Sequence, residues 1–252
     1  MSVAIIGGTG IYSAEGIAAD AQQVDTPFGP VELYRGQGKY SDLYFITRHG
    51  ADHSVPPHMV DYRANIEALS LLGVSHAVGI YAVGSITHRV PPGGIGLIDQ
   101  FIDMTHGRQS TFDNGGVSGL KHTDMSEPYC PALRNNVLSA ARARGIEMGS
   151  QGTYLCCNGP RFETAAEIQM YKQWGADFAG MTAATETTLA RERDIHFAGM
   201  VYSINWAAGV KQDIEFITRD RVVENKRILL DLAVAALYAE KAACSCEHQP
   251  VF

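Results

Sequence analysis

Two segments near the N-terminus contain the residue types that bind a phosphate-like anion. The first, Gly-Gly-Thr-Gly at residues 7–10, follows the apolar run 3–6 and includes the hydroxyl of Thr9. Glycines after a buried strand let main-chain N–H groups approach an anion closely. The second segment is Arg48-His49, where the guanidinium can pair with two phosphate oxygens and the imidazole can donate to a third. Because the carboxyl ends of parallel strands meet at one edge of a sheet, the sequence predicts that both segments close on one phosphate.

Each segment also has an interpretation without phosphate. Taken alone, the glycine segment is typical of a tight turn and the Arg-His pair of a solvated turn. The Gly-x-Gly spacing also begins a dinucleotide-binding motif, which would make the protein an NAD-dependent dehydrogenase. However, Ser13 stands where that motif has its third glycine, and Asp25, the candidate for its acid, precedes Thr-Pro in loop-like sequence. The dehydrogenase is therefore disfavoured, and a non-catalytic binding module is a third hypothesis.

Composition excludes several other classes of protein. The 252 residues are 46% hydrophobic and 19% charged with a formal net charge of −7, which is typical of a globular domain. No Lys/Arg-rich run is present, so nucleic acid is not expected as a partner. No apolar run approaches the ~18–20 residues of a membrane span, and no secretion signal precedes the first strand. We therefore expect a soluble cytoplasmic protein without a membrane partner.

The five cysteines do not form a recognisable framework. An odd number in a chain of this size argues against structural disulfides and for a reducing compartment. Cys156 and Cys157 lie in an apolar run and are expected to be buried. Cys244 and Cys246 are expected to be surface thiols in a loose C-terminal tail, with a small redox pair as the alternative. Neither pair has zinc-finger spacing, so no metal site is predicted.

The alternation of apolar runs and helical segments predicts one α/β domain over residues 1–252, with a mostly parallel sheet between helices. Pro131 suits a helix start and Gly145 a helix stop, while Thr164 and Glu167 have capping-box spacing. Residues 105–120 are rich in glycine and polar residues and predict a mobile surface loop. The expected strands are 3–6, 42–47, 76–83, 95–98, 152–157 and 197–204, and the expected helices are 59–72, 131–144, 163–174, 185–192 and 220–242.

Six motifs occur in an order that resembles one enzyme family. They are IIGGTGIY, RHG..H..PP..V.YRAN, IDQFID.T, M.EPYCP, GPRFET.AE and GAD..GMT...E..LARE. Together they resemble the trimeric purine nucleoside phosphorylase and methylthioadenosine phosphorylase family from Ala4 to about Asn205, closest to its methylthionucleoside branch. The resemblance implies a mixed, partly barrel-like sheet, a homotrimer, and reversible phosphorolysis of a purine nucleoside. Inorganic phosphate would be a co-substrate, with no metal and no cofactor.

The resemblance also assigns roles to individual residues. Met181 would lie under the ribose and the base, and Phe162 would pack against the purine. His122 and Met125 are candidates for reaching the 5′ end of a nucleoside in a neighbouring subunit, although an exposed loop histidine is an equal interpretation of His122. The phosphate site implied by the family comprises Thr9, Arg48, His49, Tyr81, Ala82 (through its main-chain N–H) and Thr182.

Two residues bear on the choice of base. The methylthioadenosine enzymes carry aspartates where Asn205 and Ala207 stand here. An amide NH₂ at Asn205 can donate toward purine N7 and a 6-oxo oxygen, whereas a 6-amino group would face it donor to donor. Glu163 aligns with the glutamate that accepts N1–H from hypoxanthine or guanine. We therefore expect a 6-oxopurine nucleoside, with Asn205, Glu163 and His49 as the catalytic residues.

The 5′ substituent is less constrained. The segment after Asn205 contains no histidine to bind a 5′-hydroxyl, and its apolar side chains favour a 5′-methylthio group, which predicts 5′-methylthioinosine. An apolar pocket rejects an added hydroxyl by only about 10²-fold, so inosine and guanosine stay as alternatives. Methylthioadenosine is less favoured. The apolar candidates are Ile214, Phe216, Ile217 and Val222.

Overall fold

The computed structural model describes residues 2–8, 17–50, 52, 54–113, 121–240, 242, 244 and 246. Ten strands form one mixed sheet, with five helices packed on it. The strands are β1 (Ser2–Gly7), β2 (Ala19–Thr26), β3 (Gly29–Gly36), β4 (Leu43–Thr47), β5 (Val74–Ser85), β6 (Ile95–Ile98), β7 (Gln100–Asp103), β8 (Thr153–Cys156), β9 (Phe178–Gly180) and β10 (His196–Trp206). The helices are α1 (Tyr62–Leu71), α2 (Pro131–Ala143), α3 (Ala165–Gln173), α4 (Ala183–Glu192) and α5 (Arg219–Leu237).

Strand β5 is the centre of the sheet. It runs parallel to β1 along its first half and to β10 along nearly its whole length, and its last two residues pair with β9. From β5 the sheet continues through β10 to β6 and, in the other direction, through β9 and β8 to β7. Only Asp99 separates β6 from β7 in the chain. The pairings run from β6 round to β7, and Asp99 joins these two strands, so the ring is closed by the chain and not by a β6–β7 pairing. This arrangement confirms the mixed, partly barrel-like sheet.

The two faces of the sheet bury alternate residues of the same strands. In β1, Ala4 and Ile6 pack into a core with α1 and α4, while Val3 and Ile5 pack into a core with α2 and α5. Burial on both faces explains why β1 reads as an unbroken apolar run. The same reasoning applies to β4, β5 and β10, which were all expected. Within the described part of the chain, no helix combines the length and apolarity that a bilayer crossing requires.

Four strands were not expected from the sequence. Strands β2 and β3 form a hairpin at the sheet edge, where exposed polar residues conceal the alternation. Asp25 therefore lies in β2, and its assignment to a loop was wrong. Strand β9 has three residues and β7 has four, too short for a pattern to emerge. The expected loop 105–120 contains no strand or helix among its described residues, 105–113.

The C-terminal segment also differs from expectation. Helix α5 ends at Leu237, whereas the predicted helix extended to residue 242. Cys246 is 3% exposed and packs into the core beside α2, and Cys244 is half-buried against the same core. The expectation that these two cysteines are surface thiols was therefore wrong, because the chain after α5 returns to the protein body.

Helix α3 begins with the predicted capping box. Thr164 Oγ1 accepts from Glu167 N at 3.1 Å, and Thr164 N donates to Glu167 Oε2 at 2.7 Å. Arg161 also binds the Glu167 carboxylate through both terminal nitrogens. Hydrogen bonds from Arg161 and Thr164 lower the pKa of Glu167 to about 2. This arrangement holds the main chain immediately around residues 162 and 163.

Replacing the capping threonine tests this account. We expect Thr164→Ala to lower the free energy of unfolding by about 1 kcal/mol, because one N–H at the start of α3 loses its acceptor. Urea denaturation followed by circular dichroism measures the change. Thr123→Ala, which removes a hydroxyl from a segment that begins no helix, is the control. Equal losses in the two variants would contradict a capping role for Thr164.

Candidate active site

A cavity of about 330 Å³ lies at the carboxyl ends of β4, β5 and β10 and beside the start of α4. This volume is in the range of small-molecule sites. Gly8, the last described residue before the gap at 9–16, lies in its wall. The cavity brings together ten of the residues singled out in the sequence: Arg48, His49, Tyr81, Ala82, Phe162, Glu163, Met181, Thr182, Asn205 and Ala207.

Arg48 is held in the cavity wall by a buried acid. Its Nε and Nη2 atoms donate to the two carboxylate oxygens of Glu186, with Nη2 at 2.9 Å from Oε2. Two further N–H groups reach the main-chain oxygens of Ile80 and Ile6 at 3.4 Å. One edge of the guanidinium is therefore already occupied, and among the described residues only one Nη1 hydrogen has no acceptor. That Nη1 hydrogen is the N–H of Arg48 left for a ligand, whereas the sequence suggested a two-pronged contact through the guanidinium.

The charge on Arg48 is secured by its surroundings. Burial by itself lowers the pKa of Arg48, but the carboxylate of Glu186 outweighs it, so the pKa is raised above its ordinary value. Tyr81 donates its hydroxyl to Glu186 Oε2 at 2.7 Å, and its ring lies 4.6 Å from the guanidinium. Burial, followed by the charge of Glu186, raises the pKa of Tyr81 well above its ordinary value, which keeps the hydroxyl a donor.

Tyr81 reaches Glu186 by folding back over Gly79. A Cβ at position 79 would lie 2.2 Å from the Tyr81 hydroxyl oxygen, a separation that no side chain tolerates. The absence of a side chain at Gly79 thus lets the tyrosine ring lie beneath Arg48. Tyr81 was expected in the phosphate site, and in the structure its hydroxyl and ring contact Glu186 and Arg48.

His49 has a defined tautomer. Its Nδ1 lies 2.8 Å from the main-chain oxygen of Val55, an atom that can only accept, so Nδ1 carries a proton. The neutral ring then offers Nε2 as an acceptor. To donate to an anion through Nε2, His49 must carry a second proton and a positive charge.

Thr182 precedes the first turn of α4 at the cavity wall. Its hydroxyl forms no capping bond to the helix, and its main-chain N–H donates to Tyr154 Oη at 3.2 Å. The start of α4 is buried beside Arg48, where the partial positive charge of the helix N-terminus favours an anion. Thr182, the start of α4 and the Arg48–Glu186 pair therefore place hydrogen-bond donors on one side of the cavity.

Asn205 also lines the cavity, and it is 4% exposed. Its Nδ2 donates to the main-chain oxygen of Trp206 at 2.7 Å. Because a carbonyl oxygen cannot donate, this contact orients the amide and identifies which of its ends is the nitrogen. One amide hydrogen is taken up, and the other is left for a ligand. The expectation that Asn205 gives both hydrogens to the base is therefore restricted to one.

Glu163, just before α3, also lines the cavity. Its Oε1 is buried without a hydrogen-bond partner among the described residues, and the Cys157 thiol lies within hydrogen-bonding reach of the carboxylate. Leaving such an atom unpaired costs on the order of 1–3 kcal/mol, and more when it is charged. Phe162 is 54% exposed, and its ring centroid lies 6.1 Å from that of Phe216. The cavity thus has an unsatisfied acceptor beside aromatic surface.

The comparisons with known proteins agree with this geometry. A model of the phosphorylase superfamily matches residues 2–235. The chain belongs to the phosphorylase superfamily. It is 40% identical to a probable 6-oxopurine nucleoside phosphorylase of Dictyoglomus turgidum, over 98% of this chain and 96% of that protein. It is also 38% identical to a probable S-methyl-5′-thioinosine phosphorylase of Thermodesulfovibrio yellowstonii, over 98% and 95%.

Solved structures give the same result. Methylthioadenosine phosphorylase from Schistosoma mansoni in complex with adenine superposes with a TM-score of 0.84 at 30% identity, over 95% of this chain and 93% of that one. A methylthioadenosine phosphorylase of Thermofilum pendens is 39% identical over 98% of this chain and 95% of that protein. The phosphorylase fold and enzyme class are shown, and the expected α/β architecture is confirmed. The names of the relatives divide among three substrates, so the choice of base has to come from residues.

Some residues expected in the phosphorylase site lie elsewhere. Thr9 falls outside the described residues. His122 is exposed and Met125 half-buried, and neither lines the cavity of its own chain. Of the four apolar candidates for the 5′ pocket, only Ile214 lines the cavity, and Val222 packs into the core instead.

The sequence analysis missed two residues of the phosphorylase site. Glu186 occurs in the sixth motif, where its buried position could have been suspected from the apolar residues around it. Lys226, from α5, lines the cavity with Ile214, and partial burial lowers the pKa of its ammonium group. Its neighbours in sequence are polar and gave no signal of a cavity position.

Removing Glu186 tests the importance of the buried ion pair. We expect Glu186→Ala to lower the free energy of unfolding by about 3–5 kcal/mol, because Arg48 is left as a buried, uncompensated charge. Glu186→Gln should lose less, since one oxygen can still accept. Urea denaturation monitored by tyrosine and tryptophan fluorescence measures both variants.

A second ion pair provides the matched control. Arg193 Nε lies 2.6 Å from Glu67 Oε2, but both side chains are partly exposed. Glu67→Ala should therefore lose no more than about 1 kcal/mol. Similar losses of unfolding free energy in Glu67→Ala and Glu186→Ala would show that burial does not increase the contribution of the Arg48–Glu186 pair to stability.

Proposed function

We propose that this phosphorylase cleaves the N-glycosidic bond of a 6-oxopurine nucleoside with inorganic phosphate, and that its preferred substrate is 5′-methylthioinosine. The products are hypoxanthine and 5-methylthioribose 1-phosphate, a purine salvage reaction. Phosphate is a co-substrate, and the reaction uses no metal or cofactor. The homotrimer, the cytoplasmic location and the contribution of His122 and Met125 from a neighbouring subunit remain predictions.

The observation that carries the choice of base is the unpaired oxygen of Glu163. Hypoxanthine has an N1–H that can donate to Oε1, whereas N1 of adenine is an acceptor and would face the carboxylate unfavourably. Asn205 gives one amide hydrogen to the main-chain oxygen of Trp206, and in this proposal its second N–H serves the base. That hydrogen suits N7 and the neighbouring 6-oxo oxygen, and it would oppose a 6-amino group.

The phosphate occupies the side of the cavity formed by Arg48, Thr182 and the start of α4. In this proposal Arg48 supplies one N–H and its charge, Ala82 supplies its main-chain N–H, Thr182 supplies its hydroxyl, and doubly protonated His49 donates through Nε2. Thr9 completes the set from the glycine segment. The anion then lies on the face of the sugar opposite the base.

The reaction proceeds by direct displacement at C1′. As the bond to the purine lengthens, positive charge develops on the ribose and negative charge on the base. Phosphate stabilises the positive charge on the ribose and attacks C1′ with inversion. Asn205 donates to N7 and stabilises the negative charge on the base. Both contributions increase toward the transition state, so they raise the rate and not only the affinity. Met181 would support the ribose from below.

A second candidate is phosphorolysis of inosine or guanosine. Lys226 places a polar group beside Ile214, in the region where the sequence predicted a wholly apolar 5′ pocket. A 5′-hydroxyl could accept from this ammonium group. The preference for a methylthio group therefore rests on Ile214 and on the lack of a histidine after Asn205. Lys226 favours a 5′-hydroxyl instead.

Base release from four nucleosides tests the proposal directly. We expect 5′-methylthioinosine to give the highest kcat/KM, with inosine and guanosine lower by up to about 10²-fold. Methylthioadenosine should be lower by about tenfold to a hundredfold, because each orientation of Asn205 leaves a polar group unpaired. Hydrolysis without phosphate is the control. Turnover of methylthioadenosine at the rate of methylthioinosine would contradict the 6-oxopurine assignment.

The role of Glu163 has its own test. Glu163→Gln should lower kcat/KM for methylthioinosine by at least about tenfold, because a charged acceptor for N1–H becomes neutral. The amide can donate to N1 of adenine, so the activity toward methylthioadenosine should stay constant or rise. Glu147→Gln, at an exposed acid far from the cavity, is the control. Equal losses on both nucleosides would remove Glu163 from base recognition.

A further inference from the structure

A cluster of four potential metal ligands lies outside the phosphorylase site. Cys130 precedes α2, His196 is the first residue of β10, and Cys244 and Cys246 follow α5. One ligand atom from each residue lies within 4.8 Å of all the others. Asn205 lies nine residues further along β10, so the cluster is roughly 30 Å from the reacting end of the strand at ~3.3 Å per residue.

The spacing of the ligand atoms suits a tetrahedral ion. Cys130 Sγ lies 3.3 Å from Cys244 Sγ, and His196 Nδ1 lies 3.2 Å from Cys246 Sγ. Zinc–sulfur bonds of about 2.3 Å and zinc–nitrogen bonds of about 2.0 Å imply ligand separations of roughly 3.5–3.8 Å around a tetrahedron. These two separations need to widen by only a few tenths of an ångström, and all the others are at most 4.8 Å. A disulfide requires about 2.05 Å, so the two sulfurs would have to move more than an ångström closer.

Neighbouring groups orient the ligands from outside the cluster. The main-chain N–H of Leu133 donates to Cys130 Sγ at 3.4 Å, and that of Cys246 donates to Cys244 Sγ at 3.3 Å. The His196 ring is stacked on His76, with centroids 4.5 Å apart. Such outer contacts hold ligands in position and favour thiolates over thiols.

The charge balance also favours a metal. Binding Zn²⁺ releases three thiol protons to solvent, and the ion with three thiolates and a neutral imidazole carries a net charge of −1. Arg191 is 2% exposed, and its Nη1 donates to the main-chain oxygen of Cys246 at 3.3 Å. The buried Arg191 guanidinium beside the cluster offsets that negative charge. A disulfide beside a neutral histidine is uncharged and would leave the guanidinium without a negative partner there.

We propose that Cys130, His196, Cys244 and Cys246 bind one Zn²⁺ ion as a structural site. All four positions are filled by protein, so no position is open for substrate, as in closed structural zinc sites. The ion fastens the segment after α5 to α2 and to the start of β10. The lack of zinc-finger spacing in the sequence is explained by the ligands coming from three distant segments.

Metal content tests the site in the full-length protein. The chain is purified without a metal-affinity tag, under reducing conditions, and zinc is measured by inductively coupled plasma mass spectrometry. We expect about one zinc per chain, and at least a tenfold lower content in Cys244→Ser. Cys156→Ala, which removes a buried thiol outside the cluster, should keep the wild-type content. Zinc retained fully by Cys244→Ser would overturn the assignment.

Cobalt and thiol measurements cover the case in which the variant does not fold. Co²⁺ added to metal-depleted wild-type protein should give the visible bands of tetrahedral cobalt and a thiolate charge-transfer band. Denatured in chelator without reductant, the zinc-loaded wild type should show five reactive thiols, the number in the chain. Three thiols and no zinc would mean that two of the cysteines form a disulfide. Five thiols, with neither zinc nor a tetrahedral cobalt spectrum, would mean that the four residues bind no metal. Either result overturns the proposal.

Discussion

The active site depends on one buried ion pair, Arg48 with Glu186. The arginine follows β4 and the acid lies in α4, 138 residues later, so the pair joins two elements that neither local structure nor chain proximity would hold together. Tyr81 from β5 completes the arrangement by donating to the same carboxylate. A buried cation with a paired acid keeps its charge and its position, and both are required of a group that is to hold an anion.

The sequence predicted those parts of the molecule whose pattern is local. Strands β1, β4, β5 and β10 are apolar on both faces, and the capping box of α3 is complete within four residues. The hairpin of β2 and β3 was missed because an exposed edge tolerates polar residues. Glu186 was missed for a different reason: an acid in a helix reads as a surface residue, and only the distant Arg48 makes its burial possible.

Recognition of the base follows from the main chain as much as from side chains. The Trp206 carbonyl orients the Asn205 amide by accepting one of its hydrogens, and α3 starts two residues after Glu163. The motif resemblance named both residues, but the amide orientation and the unpaired oxygen of Glu163 emerged only from the structure. The sequence gives the residue types at positions 163 and 205. It does not show which of their hydrogen-bonding atoms are already paired within the protein.

Strand β5 belongs both to the open part of the sheet and to the closed ring. It supplies Ala82 to the cavity wall, and its Gly84 pairs with Asn205. Ala82 and Gly84 are two residues apart in extended backbone, about 7 Å. Exchanging side chains at 163, 205 or 207 would leave this main-chain spacing unchanged. Relatives named for different purine nucleosides can therefore share one scaffold.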